Sequence, residues 1–194
     1  SSKLWLTRQL NDPLVAEAKK QNYRSRAIFK FLEINEKHQF LKNNLNIIDL
    51  GAAPGSWSQH TSKINKDGLN IALDLLDTKP INNCKIIKGD FTSDEVQNKL
   101  VNLVEGEKFD IVLSDIAENS TGNRSLDSMR CNIITLEVMK FSLKHLKKNG
   151  KILIKTFSGV GNEEVVDMAK KNFSKHIFIK PKSSRKDSKE LYLY

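Results

Sequence analysis

The chain predicts an α/β fold, a mainly parallel seven-stranded sheet with its last strand antiparallel and helices on both faces. Three observations predict it. From Asn46 onward, short apolar runs alternate with stretches whose apolar residues recur at helical spacing, the pattern of a parallel sheet covered on both sides. The run Asn46-Ile47-Ile48-Asp49-Leu50 stops abruptly in Gly51-Ala52-Ala53-Pro54-Gly55 and re-enters a helical pattern at Ser56-Trp57, which reads as strand, tight turn and helix start. Near the end, two strand-like runs follow one another with no helix between them, so the final strand can enter antiparallel at or near an edge.

Asp12-Pro13 opens the first helix, an N-cap carboxylate followed by proline at the first helical position, and Val15, Ala16 and Ala18 carry it toward Lys20. A second helix spans about Ser25 to Lys37. Ile28, Phe31 and Leu32 share one of its faces, while Arg26, Lys30, Glu33 and Lys37 fall on the other, so periodicity alone makes Lys30 a solvated side chain. After the strand at Asn46–Leu50, a helix from about Trp57 to Lys63 ends before Lys66-Asp67-Gly68. Strands follow at Asn70–Asp74 and Cys84–Lys88, and Ser93 caps a helix through about Val104. Phe109–Asp115 is a strand, Glu118–Ser125 a polar loop, and Leu126–Lys147 a long helix stopped by Asn149-Gly150. Lys151–Phe157 is the fifth strand. Gly159 and Gly161 open a loop, a helix covers Glu163–Phe173, and strands at His176–Ile179 and Glu190–Tyr194 complete the sheet.

In such a sheet, ligands bind beyond the carboxyl ends of the strands. Gly51 and Gly55 permit close backbone approach there, Ala52 and Ala53 keep the turn thin, and the following helix offers free N–H groups. A dinucleotide fingerprint reads G-x-G-x-x-G, but here Ala53 stands where the second glycine belongs and a proline follows. S-adenosylmethionine, which has no phosphate, suits the turn better than a pyrophosphate; an ordinary β–α turn is the bland alternative.

Asp74, Asp90 and Asp115 end three different strands at that same rim. Carboxylates there accept hydrogen bonds from ribose hydroxyls or an adenine amine, and Asp74 stands 25 residues after Asp49, close to the interval at which nucleoside-binding folds place a ribose acid. Lys155 interrupts Ile152-Leu153-Ile154-Lys155-Thr156-Phe157. An ammonium in so apolar a strand is costly unless paired, and Asp115 on the preceding strand is its natural partner.

Length and composition bound the rest. The 194 residues suffice for one well-cored domain, here 1–194 with residues 1–40 as a helical extension packed on it. No apolar run approaches the roughly 18 residues of a membrane span, and Ser1-Ser2-Lys3-Leu4-Trp5 lacks a secretory layout. Two cysteines, Cys84 and Cys131, are too few for a disulfide framework, so a cytoplasmic protein is expected. The four histidines show no ligand spacing, so no metal site is expected, and no G-x-S-x-G elbow is present. A net charge of +9 points to a polyanionic partner.

Asp12-Pro13-Leu14-Val15, Tyr23-Arg24-Ser25-Arg26-Ala27-Ile28-Phe29-Lys30, Asp49-Leu50-Gly51-Ala52-Ala53-Pro54-Gly55-Ser56-Trp57-Ser58-Gln59, Ser114-Asp115, Lys155 and Ser184-Arg185…Ser188-Lys189-Glu190 together resemble the FtsJ/RrmJ (RlmE) family. These are 2′-O-ribose methyltransferases of ribosomal RNA. The resemblance runs in order from Trp5 to the last strand and implies a Rossmann-like S-adenosylmethionine-dependent methyltransferase fold. It implies a catalytic tetrad at Lys30, Asp115, Lys155 and Glu190, against the helical-face reading of Lys30. It implies that Gly55, Trp57, Asp74, Asp90 and Asp115 contact S-adenosylmethionine, with no metal, and that Tyr192 faces the substrate. The sequence departs from the family at Ser56, where glycine is common, and at Glu118 within Ile116-Ala117-Glu118-Asn119, where proline is usual.

The activity so implied is methyl transfer to a uridine 2′-oxygen in the A-loop of large-subunit (23S) ribosomal RNA, within the assembled subunit, by a monomer without membrane contact. Lys155 is the expected general base, and Arg24, Arg26 and Lys30 are expected to hold phosphates. Two alternatives stand beside it: a methylase of another RNA, such as transfer RNA or a capped end, and a non-catalytic RNA-binding assembly factor.

Overall fold

The computed structural model describes Thr7, residues 10–118 and residues 120–194; Trp5, where the resemblance begins, and Asn119 of the rim loop lie outside the described residues. In chain order the elements are α1 (Pro13–Lys20), α2 (Ile28–His38), β1 (Asn46–Leu50), α3 (Ser56–Ile64), β2 (Leu69–Asp74), β3 (Lys85–Lys88), α4 (Asp94–Leu103), β4 (Phe109–Ser114), α5 (Arg124–His145), β5 (Leu146–Phe157), α6 (Asn162–Asn172), β6 (Phe178–Ile179) and β7 (Glu190–Leu193). The strands form one seven-stranded sheet in the order β3-β2-β1-β4-β5-β7-β6. β1, β2, β3, β4 and β5 pair in parallel, whereas β7 runs antiparallel to both β5 and β6. The last strand is therefore antiparallel and next to the edge, as the sequence predicts. The short β6 forms the edge.

The alternation of side chains along each strand divides the core in two. Ile48, Leu50, Val112, Ile152, Ile154 and Leu193 pack on one side with Leu100 of α4, Val138 and Met139 of α5, and Val165 and Ala169 of α6. Ile47, Ile111, Leu113, Leu153 and Tyr192 face the other side, against Ala18 of α1, Ile28, Phe31 and Ile34 of α2, and Trp57 of α3. The described part of the N-terminal extension thus shares a core with the sheet.

Caps set several boundaries. Asp12 accepts from the Leu14 N–H (3.0 Å) with Pro13 at the first helical position, and Ser93 accepts from the Val96 N–H (3.3 Å). Asn123 accepts from the N–H groups of Ser125 and Leu126 (3.0 and 3.2 Å), so α5 begins two residues before the predicted Leu126. It also ends earlier, at His145. Leu146 already pairs with Phe109 of β4, and Asn149 in a left-handed conformation (φ 68°) marks the irregularity between that pair and the regular ladder from Lys151.

Candidate active site

The rim at the carboxyl ends of β1, β2 and β4 is held by backbone hydrogen bonds. Gly51 (φ +69°) turns the chain out of β1, and the N–H groups of Gly51 and Ala52 donate to the Leu73 carbonyl (2.8 and 3.1 Å). A Cβ on Gly51 would stand 2.1 Å from Cγ1 of Ile116, so only glycine lets the β4 rim close over this turn. Asp74 accepts from the N–H groups of Ala53 and Leu76, both at 2.8 Å. The Arg24 guanidinium then ties the turn to the next loop, donating to the carbonyls of Pro54 (3.0 Å), Lys79 (2.8 Å) and Pro80 (2.7 Å).

These residues fit an adenosyl sulfonium. A carboxylate has about four acceptor positions, so Asp74 retains capacity for hydroxyls after its two backbone bonds. Leu75 and Leu76 beside it are 66% and 68% exposed, an apolar surface suited to a flat ring. Asp90, two residues past β3, accepts from Thr92 through Oδ1 alone. α3 starts at Gly55 (φ +107°) without a side-chain cap, leaving its first-turn N–H groups open to a carboxylate. Trp57 offers only that backbone: its side chain is 3% exposed, packs against Phe31 and Tyr192, and its indole N–H donates to the Ala27 carbonyl (2.8 Å).

Lys30, Asp115, Lys155 and Glu190 come together beside this rim. Lys155 follows Leu153 by two residues and so points to the α2 side of the sheet, as Glu190 does from its place two residues before Tyr192. Register brings Lys155 opposite Tyr192, and Phe157 opposite Glu190. Lys155 Nζ lies 2.9 Å from Asp115 Oδ1 and 3.8 Å from Glu190 Oε2, while Lys30 Nζ lies 2.9 Å from Glu190 Oε2. Tyr192 donates its hydroxyl to Asp115 Oδ1 at 2.5 Å. Burial works against the charge on Asp115, yet Lys155 and Lys30 outweigh it and hold its pKa below the usual carboxylate value. Glu190 is likewise held low, burial being overcome by Lys30 and Lys155. For Lys155, burial pulls downward, but Asp115 and Glu190 win and raise its pKa, which favours the ammonium form. Burial, with Asp115 and Glu190, raises Tyr192 well above the ordinary phenol.

Two side chains with no distinctive motif position Lys155. Thr135 donates to the Lys155 carbonyl (2.8 Å), and Asn132 accepts from the Phe157 N–H (2.9 Å) and the Thr156 hydroxyl (2.7 Å) while donating to the carbonyls of Phe157 and Val160 (both 2.9 Å). Asn132 and Thr135 are both buried, one turn apart on α5. The sequence carries little signal for them, since the buried face of α5 also holds Ser128, Ser142 and His145.

Several sequence readings change. Lys30 is not solvated, because the second face of α2 is covered by the segment leading into β7: Glu33 accepts from the N–H groups of Lys182 and Ser183 (2.6 and 3.1 Å), and Arg26 donates to the Ser183 carbonyl (2.5 Å). Arg24 and Arg26 are not free phosphate ligands. Arg24 already donates to three carbonyls and Arg26 is paired with Asp12, both in a turn before α2. Ser56 is buried with its hydroxyl 2.8 Å from that of Ser25, and Glu118 pairs with Arg130 at 3.5 Å.

Beneath the turn, Asp49 is 3% exposed and accepts from the Ser58 hydroxyl (2.7 Å); burial, opposed by that bond and reinforced by Asp115 and Asp74, pushes its pKa up to about 7. Among the described residues, no cluster of three His, Cys, Asp or Glu side chains could hold a metal ion, and no helix is long and apolar enough to cross a membrane.

Comparison with known proteins bears on this geometry. Residues 23–194 match the family model described as FtsJ-like methyltransferase. The chain is 44% identical over its whole length to Ribosomal RNA large subunit methyltransferase E of Francisella tularensis, covering 94% of that protein. It is equally identical, again over its whole length, to the protein of the same name from Agrobacterium fabrum, covering 80% of it. A crystal structure assigned as a ribosomal RNA methyltransferase from Plasmodium falciparum superposes with a TM-score of 0.80 at 32% identity, over 88% of this chain and 96% of that one.

Proposed function

Since the chain belongs to the FtsJ-like methyltransferase family, we propose that it methylates the ribose 2′-oxygen of an A-loop uridine in large-subunit ribosomal RNA, using S-adenosylmethionine. The observation that carries this reading is the convergence of Lys30, Asp115, Lys155 and Glu190 within hydrogen-bonding and ion-pair distance at the rim of the nucleoside-type turn. Relatives named for ribosomal RNA of the large subunit support the substrate, and the assembled subunit is the form in which we expect it to be met, by a monomeric cytoplasmic enzyme.

Gly55, the backbone of Trp57, Asp74, Asp90 and Asp115 would hold the cofactor, with Leu75 and Leu76 against its ring. When bound, S-adenosylmethionine supplies an electrophilic methyl group on a cationic sulfur. The side chains need only align and deprotonate a hydroxyl. Lys155 is fixed for this from behind by Thr135 and Asn132 and from the side by Asp115. It starts protonated, so its first role is to orient the hydroxyl oxygen. A further cation placed beside it lowers its pKa, as like charges do, so that the ammonium would first release one proton to solvent; the neutral Lys155 amine would then accept the 2′-hydroxyl proton as that oxygen takes the methyl group, with neutral S-adenosylhomocysteine as the leaving group. Lys30 holds Glu190 in place, and Tyr192 holds Asp115.

The test is transfer of tritium from labelled S-adenosylmethionine to large subunits lacking ribose methylation, with the labelled nucleotide mapped and Lys155→Ala as control. Label on one A-loop uridine, lost in the variant, is expected. Label on transfer RNA or capped RNA alone would replace the substrate, and label persisting in the variant would defeat the mechanism.

A further inference from the structure

A groove of about 890 Å³ opens at the opposite end of the sheet from the tetrad, where β5 begins, α6 ends and β7 finishes. Its lining includes Lys147, Lys148, Lys151, Lys175 and His176 and no carboxylate side chain. Lys147 is already paired with Glu107 and Asp110 (3.3 and 3.2 Å), whereas Lys148, Lys151 and Lys175 are exposed and have no ion pair among the described residues. Helix dipoles account for some of the basic charge at this end, since Lys144, Lys170 and Lys171 sit in the last turns of α5 and α6. They do not account for Lys148 and Lys151 on β5, or for Lys175 beyond α6.

Topology connects this groove to the reaction centre. Lys151 and Lys155 lie on one strand four residues apart, about 13 Å, so the groove is more than a nucleotide away from the tetrad. The edge strand β6 begins just past Lys175 and His176 and runs antiparallel to β7. It therefore delivers the chain to the segment directly before Glu190, where Lys182 and Lys186 are exposed, Lys189 follows the single acid Asp187, and Arg185 is paired with Asp12 at 3.3 Å. One basic track thus follows the sheet edge from the groove to the catalytic rim.

We propose that this track binds the phosphodiester backbone of the RNA substrate at a distance from the target nucleotide, with Lys148, Lys151 and Lys175 as its far anchor; this rests on the RNA reading above. RNA is the occupant because Lys148, Lys151 and Lys175 have no ion pair among the described residues and no carboxylate side chain lines the groove, while its apolar lining, with Leu143, Phe173, Ile177 and the Tyr194 ring under Lys151, offers a floor against which riboses and bases can pack. Such contacts give affinity without sequence preference.

The test is binding of a fluorescently labelled fragment of large-subunit ribosomal RNA, followed by anisotropy from about 50 to about 200 mM salt. Changing Lys148, Lys151 and Lys175 together to Gln should reduce the slope of log affinity against log salt by about 2 to 3 and weaken binding roughly tenfold, while the triple change to Arg keeps both. The thermal midpoint and S-adenosylmethionine affinity should not move in either variant. An unchanged slope in the Gln variant overturns the proposal, as does a loss confined to binding of ribosomal proteins. Wild-type protein that shows the lysine-dependent slope yet methylates no RNA defeats the activity proposed above and leaves the track standing.

Discussion

Lys30 and Glu190 are 160 residues apart in the chain, yet Nζ of one lies 2.9 Å from Oε2 of the other in a site where both side chains are nearly buried, 12% and 8% exposed. The pair fastens α2 to β7 and closes the tetrad.

Lys30→Ala should therefore lower both stability and activity. Removing one partner of a buried ion pair costs about 3 kcal/mol, and Lys155 at 3.8 Å compensates Glu190 only in part. Adding Glu190→Gln removes the stranded charge and should restore part of the stability but no methyl transfer. Denaturant titration and labelled-methyl assays read the two effects separately.

Lys155→Arg tests the proton-accepting role. Arginine keeps the cation and its hydrogen bonding but does not deprotonate, with a pKa above about 12. Activity should fall by about two to four orders of magnitude, and the basic rise of the wild-type rate with pH should vanish. Unchanged activity would leave Lys155 as an orienting cation alone.

Asp49 sets a pH dependence of the opposite kind to the tetrad carboxylates. Its folded pKa of about 7 lies above the unfolded value near 3.9. The unfolded state therefore loses its proton first, and this residue erodes stability as pH rises from about 4 to 7. Asp115 and Glu190, held low, contribute stability that is present above about pH 4 and lost on acidification through their depressed pKa values. Asp49→Asn should raise stability relative to wild type by roughly 3 kcal/mol more at pH 8 than at pH 5. Chemical denaturation at the two values measures it, and an equal effect at both would contradict the assignment.

Ser56→Gly isolates one departure from the family. The serine hydroxyl is engaged with that of Ser25. Loss of that hydrogen bond should cost about 1 kcal/mol, with cofactor affinity by calorimetry changed less than twofold.

The sheet and its ligand rim were legible because hydrophobic period, turn residues and strand-end acids agree along the chain. Lys155 was legible too, since an ammonium within Ile152-Leu153-Ile154 demands a partner. Lys30 was not: its helical face looks solvent-exposed until residues 182–190 fold over it, and that cover comes from about 150 positions away. Periodicity sees only one element at a time, and the family resemblance supplied what it missed. Asn132 and Thr135 escaped notice for a related reason, because their value lies in fixing the backbone of another element. Arg24 and Arg26 misled in the other direction, since a basic cluster in sequence does not reveal that its guanidinium groups are consumed by carbonyls and Asp12.

The tetrad holds two cations and two anions within a few ångströms. At longer range their fields cancel, so the reaction centre is electrically quiet and contributes nothing to a protein that carries a net charge of +9. A polyanion approaching through solution is guided by the periphery, and it senses the centre only on arrival. Long-range attraction and the local arrangement of the tetrad are thereby separable: surface charge can be retuned while Lys30, Asp115, Lys155 and Glu190 stay as they are.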